Sequence, residues 1–289
     1  MISQKEVRKI LSQGKPAPKN IPWYGEPNLG GFFNDEEINM VVKVMKESSD
    51  WSVGFSSKSD VIKKFEEKIS RFCDAKYAIT VSNCGAAIDL ALRALELEPG
   101  DEVICPAINY KASHMAVIDR GAKIVFCEVD LITLNLDLSD VKKKISDKTR
   151  AIIPVSVTGL AVPVEEIEDL IKDIKHPKYG SPKIIVDAAR SIGAKYNDNI
   201  VGKNGWVTCF SFHSQKLITT MGEGGALVTN DKTLATKVRD MCSYGGENGW
   251  GMNYRMSKIQ AAMGLVQLDR LNENLIKRRN CAKKRTKYL

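Results

Sequence analysis

The chain of 289 residues is 43% hydrophobic and 27% charged, the composition of a soluble globular protein with one large core and room for a smaller satellite domain, which excludes wholesale disorder. No apolar run approaches the roughly 18 residues of a membrane span, and the opening MISQKEVRKIL lacks the apolar centre of a signal peptide, so a cytoplasmic location is expected. The net charge of +8 is local, because residues 270–289 carry eight basic side chains against Glu273 alone, and without interleaved aromatics this reads as a solvated helix face rather than a nucleic-acid surface.

In chain order, Ser3 with Glu6 fits a capping box opening a short helix, and GKPAPKNIPWYGEPNLGG at 14–31 reads as a Pro/Gly-rich linker. Residues 1–28 are thus expected to form an arm, 29–250 the main domain, and 251–289 a long helix leading into an incomplete smaller domain. Beyond the arm, apolar runs recur at YAITV (77–81), EVIC (102–105), KIVFCEV (123–129), RAIIPV (150–155), KIIVD (183–187), VTCFSF (207–212) and GALVT (225–229). Most are continuous rather than alternating, as strands covered on both faces are, which predicts an α/β domain with a mostly parallel sheet of about seven strands. Helical patterns fall between them, at 86–95, 113–120, 138–145, 164–174 and 234–241, and a last helix is expected from about Ser257 to the C-terminus. The seven cysteines are scattered, with no CxxC pair, and read as reduced and mostly structural.

Ligands of such folds sit at the carboxyl ends of the strands. After the first strand, SNCGAA (82–87) opens straight into a helix. The backbone at Cys84, Gly85 and Ala86 can then offer N–H groups and a dipole end to an anion, phosphate above all, although a plain strand-to-helix turn has the same look. After the second, PAINYKAS places Tyr110 at a loop tip, where it can lie on a planar ring or simply pack. KIIVD ends in Asp187, a carboxylate that needs a partner if buried; a protonated heterocyclic nitrogen would serve, and a helix N-cap is the structural alternative. VTCFSFHSQK then delivers Ser211, His213 and Lys216. A sheltered lysine can form a Schiff base with an aldehyde cofactor, while most lysines are surface charges. GEGG (222–225) follows, a turn by itself. His114, His176 and His213 show no ligand spacing, so no metal is expected.

An anion-binding helix start, a stacking aromatic, an acid for a pyridinium nitrogen and a Schiff-base lysine together are the parts of a pyridoxal 5'-phosphate (PLP) site. Through VDAARSIGA, FSFHSQKLITTMGEGGALVTND and MNYRMSKIQAAMGLVQL the sequence resembles the DegT/DnrJ/EryC1/StrS family, sugar aminotransferases of PLP fold type I (aspartate aminotransferase-like). The resemblance covers about residues 28–289. It implies Lys216 as the lysine that bonds the cofactor, Asp187 as the ring-nitrogen partner, Tyr110 stacked on the ring, and Ser211 with the 84–86 backbone on the phosphate. It also implies Asn253 reaching the phosphate of a neighbouring subunit in a homodimer.

The chain departs from the family pattern in three places. Cys84-Gly85 stands where a Gly-Thr is usual, Arg190 replaces a Gln and adds positive charge near the ring's 3-oxygen, and Lys258 stands where a Glu is usual. Family members also continue past the last helix. The function implied is transfer of an amino group from an amino acid, L-glutamate being expected, to a keto-sugar, with a nucleotide-linked hexose the commonest acceptor and His213 a candidate substrate contact. Two alternatives are a PLP-dependent sugar dehydratase, in which a His replaces the lysine, and a catalytically silent truncated paralogue acting as a binding subunit.

Overall fold

A computed structural model describes residues 32–288 except 57, 58, 177 and 248. The capping box at Ser3 and Glu6 and the 14–31 linker lie outside the described residues. Two helices, α1 (Asp35–Ser48) and α2 (Asp60–Phe72), precede the sheet. The chain continues β1 (Tyr77–Val81), α3 (Cys84–Ala94), β2 (Glu102–Pro106), α4 (Lys111–Asp119), β3 (Lys123–Cys127), α5 (Leu138–Lys144), β4 (Thr149–Ile152), α6 (Val164–Ile171) and β5 (Lys183–Asp187). After a small hairpin, β6 (Lys195–Tyr196) and β7 (Asn199–Ile200), come β8 (Val207–Ser211), β9 (Gly225–Thr229), α7 (Lys232–Cys242), α8 (Lys258–Asp269) and α9 (Leu271–Tyr288).

The seven apolar runs form one seven-stranded sheet of order β1-β9-β8-β5-β4-β2-β3. Only β9 runs against its neighbours; it is antiparallel to β1 and to β8, so the other six strands point the same way. Their carboxyl ends and the start of β9 therefore share one edge. Both faces are covered, as the continuous runs imply: on β1, Ala78 joins one apolar cluster and Ile79 the other, and on β8 Phe210 and Cys209 divide likewise. β3 is the exception, an edge strand with Phe126 half exposed.

Two local features differ from the sequence reading. The β6–β7 hairpin is an addition to it; the two-residue turn has positive φ at Asn197 and Asp198, the primed-turn geometry that Asn and Asp tolerate. The last helix is also not continuous. It breaks at Arg270, whose N–H reaches back to Leu268 and Val266 carbonyls and whose guanidinium pairs with the buried Glu37 of α1. No Gly or Pro marks that break; a long-range ion pair holds it. Beyond it, from Lys277 onward, α9 lies exposed as far as its side chains are described.

Candidate active site

The helix α3 starts at the expected phosphate turn, and Asn83 caps it by accepting a hydrogen bond from Ala86 N (2.8 Å). Ala86 is thereby engaged, and the helix-start donors left to a ligand are those of Cys84 and Gly85. This turn is pressed against the sheet. Gly225, paired with Val81 on one side and Ser211 on the other, lies so close beneath it that a Cβ there would fall 2.5 Å from Asn83 C and 2.7 Å from Cys84 N. The glycine-rich turn is therefore a point of close approach that brings the α3 start alongside Ser211.

Asp187 ends β5 and is 6% exposed. No helix follows it, so the N-cap alternative falls; the backbone turns at Ala189 and Arg190. Oδ1 accepts from Ala189 N (3.2 Å) and lies 3.9 Å from the Cys84 thiol, while Oδ2 accepts from Ser113 Oγ (2.8 Å). Burial raises the Asp187 pKa above the usual carboxylate value, against these hydrogen bonds and the nearby charge of Lys216. The Cys84 thiol is pushed well up, first by burial and then by the Asp187 charge, with Lys216 pulling the other way. Lys216 thus stands close enough to act electrostatically on both.

Lys216 sits half-buried on the loop between β8 and β9. The loop is pinned at its neck by Phe212 N to Gly224 O (2.8 Å) and Thr220 N to Phe212 O (3.0 Å), and Lys216 N donates to His213 O (2.9 Å). A further contact, Thr219 N to Gln267 Oε1 (3.4 Å), ties it to α8. The His213 ring faces Glu223, with Nε2 at 3.9 Å.

Tyr110 is the residue before α4 and is 73% exposed. The α4 start abuts the turn at the start of α3, since a Cβ at Gly85 would lie 3.7 Å from Ala112 Cβ. Cys84, Gly85, Asp187 and Lys216 are thus brought to one edge, with Ser211 beside the turn and Tyr110 at the margin.

The other residues have the following surroundings. Arg190 is exposed, its carbonyl closely approached by Gly159. Asn253 is exposed and accepts from Arg255 Nε (2.9 Å) on a segment whose Tyr254 O receives Ser82 N. Lys258 is buried away from solvent, donating to Ser48 Oγ (2.8 Å) and Gly54 O (3.3 Å), so it anchors the end of α1 to α8. Ser113 escapes the sequence reading; its signal is a small hydroxyl one turn after Tyr110, on the side of α4 that turns inward. Among the described residues no group of three His, Cys, Asp or Glu side chains could hold a metal, and no helix is long and apolar enough to cross a membrane.

A profile of the DegT/DnrJ/EryC1/StrS aminotransferase family matches residues 33–289. The chain belongs to this family. It is 38% identical over 275 residues to a GDP-perosamine synthase of Escherichia coli O157:H7, covering 91% of this chain and 70% of that one. It is 36% identical over 223 residues to a dTDP-3-amino-3,6-dideoxy-alpha-D-galactopyranose transaminase of Aneurinibacillus thermoaerophilus, covering 75% and 60%. Spr1654 of Streptococcus pneumoniae, described as a sugar aminotransferase and solved in its PLP form, superposes with a TM-score of 0.77 at 26% identity over 86% of this chain and 68% of that one. The chain thus spans about 60 to 70% of the length of these relatives. The fold is that of PLP fold type I sugar aminotransferases, and the buried, incompletely compensated Asp187 carboxylate fits a cofactor that brings a ring N–H to it.

Proposed function

We propose that this chain carries the cofactor site of a PLP-dependent sugar aminotransferase, moving an amino group from L-glutamate to a nucleotide-linked keto-sugar in amino-sugar biosynthesis. The observation that carries the reading is a buried carboxylate, Asp187, at the end of β5 within electrostatic reach of Lys216, beside a helix start suited to phosphate. Bound PLP supplies the sink for electrons released at the amino donor's Cα.

The chain's own residues do the rest. Asp187 holds the proton on the ring nitrogen. Cys84 and Gly85 N–H with Ser211 Oγ bind the phosphate, and Tyr110 covers one ring face against water. Lys216 would hold the cofactor through its amine and, once freed by the donor's amino group, would act as the base that takes the proton from the donor's Cα and as the acid that delivers it. Release of 2-oxoglutarate would complete the donor half of the transfer. Lys216 favours transamination over the dehydratase reading, which needs a His there, and Lys216 with Asp187 favours an active enzyme over a silent subunit. A homodimer belongs to the proposal, with the exposed Asn253 reaching the partner's phosphate. So does a cytoplasmic location, where the free thiols would stay reduced.

The test is absorbance of the purified chain with added PLP. A visible band that borohydride fixes onto Lys216, located by peptide mass spectrometry, and that L-glutamate bleaches is expected. A chain that stays colourless with PLP overturns the proposal.

A further inference from the structure

Asp187 carries its charge at a site that disfavours it, and what steadies that charge is a residue with no role assigned so far. We propose that Ser113 is a positioning residue: its hydroxyl, donated to Asp187 Oδ2, keeps the carboxylate ionised and turned toward the cofactor's ring nitrogen. The inference rests on the PLP reading proposed above.

Ser113 is fully buried and its hydroxyl lies 2.8 Å from Oδ2, closer than the 3.2 Å of Ala189 N or the 3.9 Å of the Cys84 thiol to Oδ1. A helical serine ordinarily bonds back to its own helix or points to solvent. This one reaches from α4 to the end of β5. A hydroxyl can donate to a carboxylate, and a donor to the charged form favours that form. The groups that bear on Asp187 from the surrounding elements are Cys84 of α3, Cys209 of β8 and Lys216 of the loop after β8. Both thiols are held neutral by burial, which leaves Lys216 as the charge and Ser113 as the close hydroxyl donor.

The same bond sets geometry. Tyr110 stands one residue before α4 and Ser113 lies in its first turn. The start of one short helix thus carries both the residue placed over the ring and the residue that steadies the partner of its nitrogen. Fastening that turn to β5 fixes the two at once.

The full chain, loaded with PLP, is compared with Ser113→Ala and Ser113→Thr. A protonated ring nitrogen withdraws electrons and makes the proton on the bonded Lys216 nitrogen more acidic, so a weakened Asp187 moves the pH midpoint of the visible band upward. For Ser113→Ala the midpoint is expected to rise by about one pH unit and PLP to bind about tenfold more weakly, the scale of one hydrogen bond to a charged group. Ser113→Thr, which keeps the hydroxyl, restores both. In an Asp187→Asn background Ser113→Ala adds nothing further. If Ser113→Ala does not fold, Ser113→Cys, a near-isosteric weaker donor, takes its place in the same comparison.

A wild-type midpoint and affinity in the hydroxyl-deleted chain would overturn the inference, as would full additivity with Asp187→Asn. So would Thr behaving like Ala. A wild-type chain that takes up no PLP would instead remove the cofactor reading beneath it.

Discussion

Gly225→Ala separates a turn that is merely flexible from one that is a close contact. Its backbone is ordinary, with no positive φ, so an alanine costs nothing conformationally and any effect is steric. The added Cβ would meet Asn83 C at 2.5 Å, Cys84 N at 2.7 Å and Phe210 O at 2.8 Å, where ordinary contact begins near 3.4 Å. All three are backbone atoms and cannot rotate away.

Overpacking of this kind costs about 1–3 kcal/mol, and with three backbone partners the upper end, about 3 kcal/mol, is expected. In a chain of this size that lowers Tm by roughly 6–12 °C, at about 2–4 °C per kcal/mol. The alternative to that strain is a shift of the α3 start away from Ser211 by an amount on the order of 1 Å, and displacements of that size weaken site chemistry by about a hundredfold. Thermal melting of the apo chain and a PLP absorbance titration read the two outcomes. Gly225→Ala that melts and binds PLP as the parent does would show that β9 and the α3 cap are not in contact.

Two further outcomes follow from buried charges. Because burial raises the Asp187 pKa, the native chain binds that proton more tightly than the unfolded one. Its contribution to stability therefore falls as pH rises from the unfolded pKa through the raised native one, by about 1.4 kcal/mol for each pH unit that separates the two. Apo Asp187→Asn should accordingly be more stable than the apo parent at pH 7, with a flatter pH dependence of melting, while retaining PLP poorly; equal melting curves across pH 4–8 would refute this. Arg270→Met strands the Glu37 carboxylate, 1% exposed and also bonded by Gln267 Nε2 at 2.6 Å. It should cost about 3–5 kcal/mol, measured by urea unfolding, and a loss below about 1 kcal/mol would contradict the pairing.

The sequence announced the sheet because its strands are apolar on both faces, and continuous runs such as KIIVD and GALVT survive as strands with the same bounds. It placed Asp187, Ser211 and Lys216 at strand ends for the same local reason, and its motifs carried the family. The α3 start was legible as a small-residue turn before an apolar helix.

What long-range packing decided was not legible. Strand order needs the antiparallel insertion of β9 between β1 and β8. Gly225 acquires its meaning only when Asn83, far off in sequence, is laid over it. The break at Arg270 follows from Glu37, some 230 residues earlier, and Lys258, read as a departure within a motif, binds α1 instead. Ser113 makes the same point at the candidate site. Propensity and hydrophobic period fix what each segment becomes, whereas the partner of a buried hydroxyl or carboxylate is set by which elements the tertiary fold brings within 3 Å.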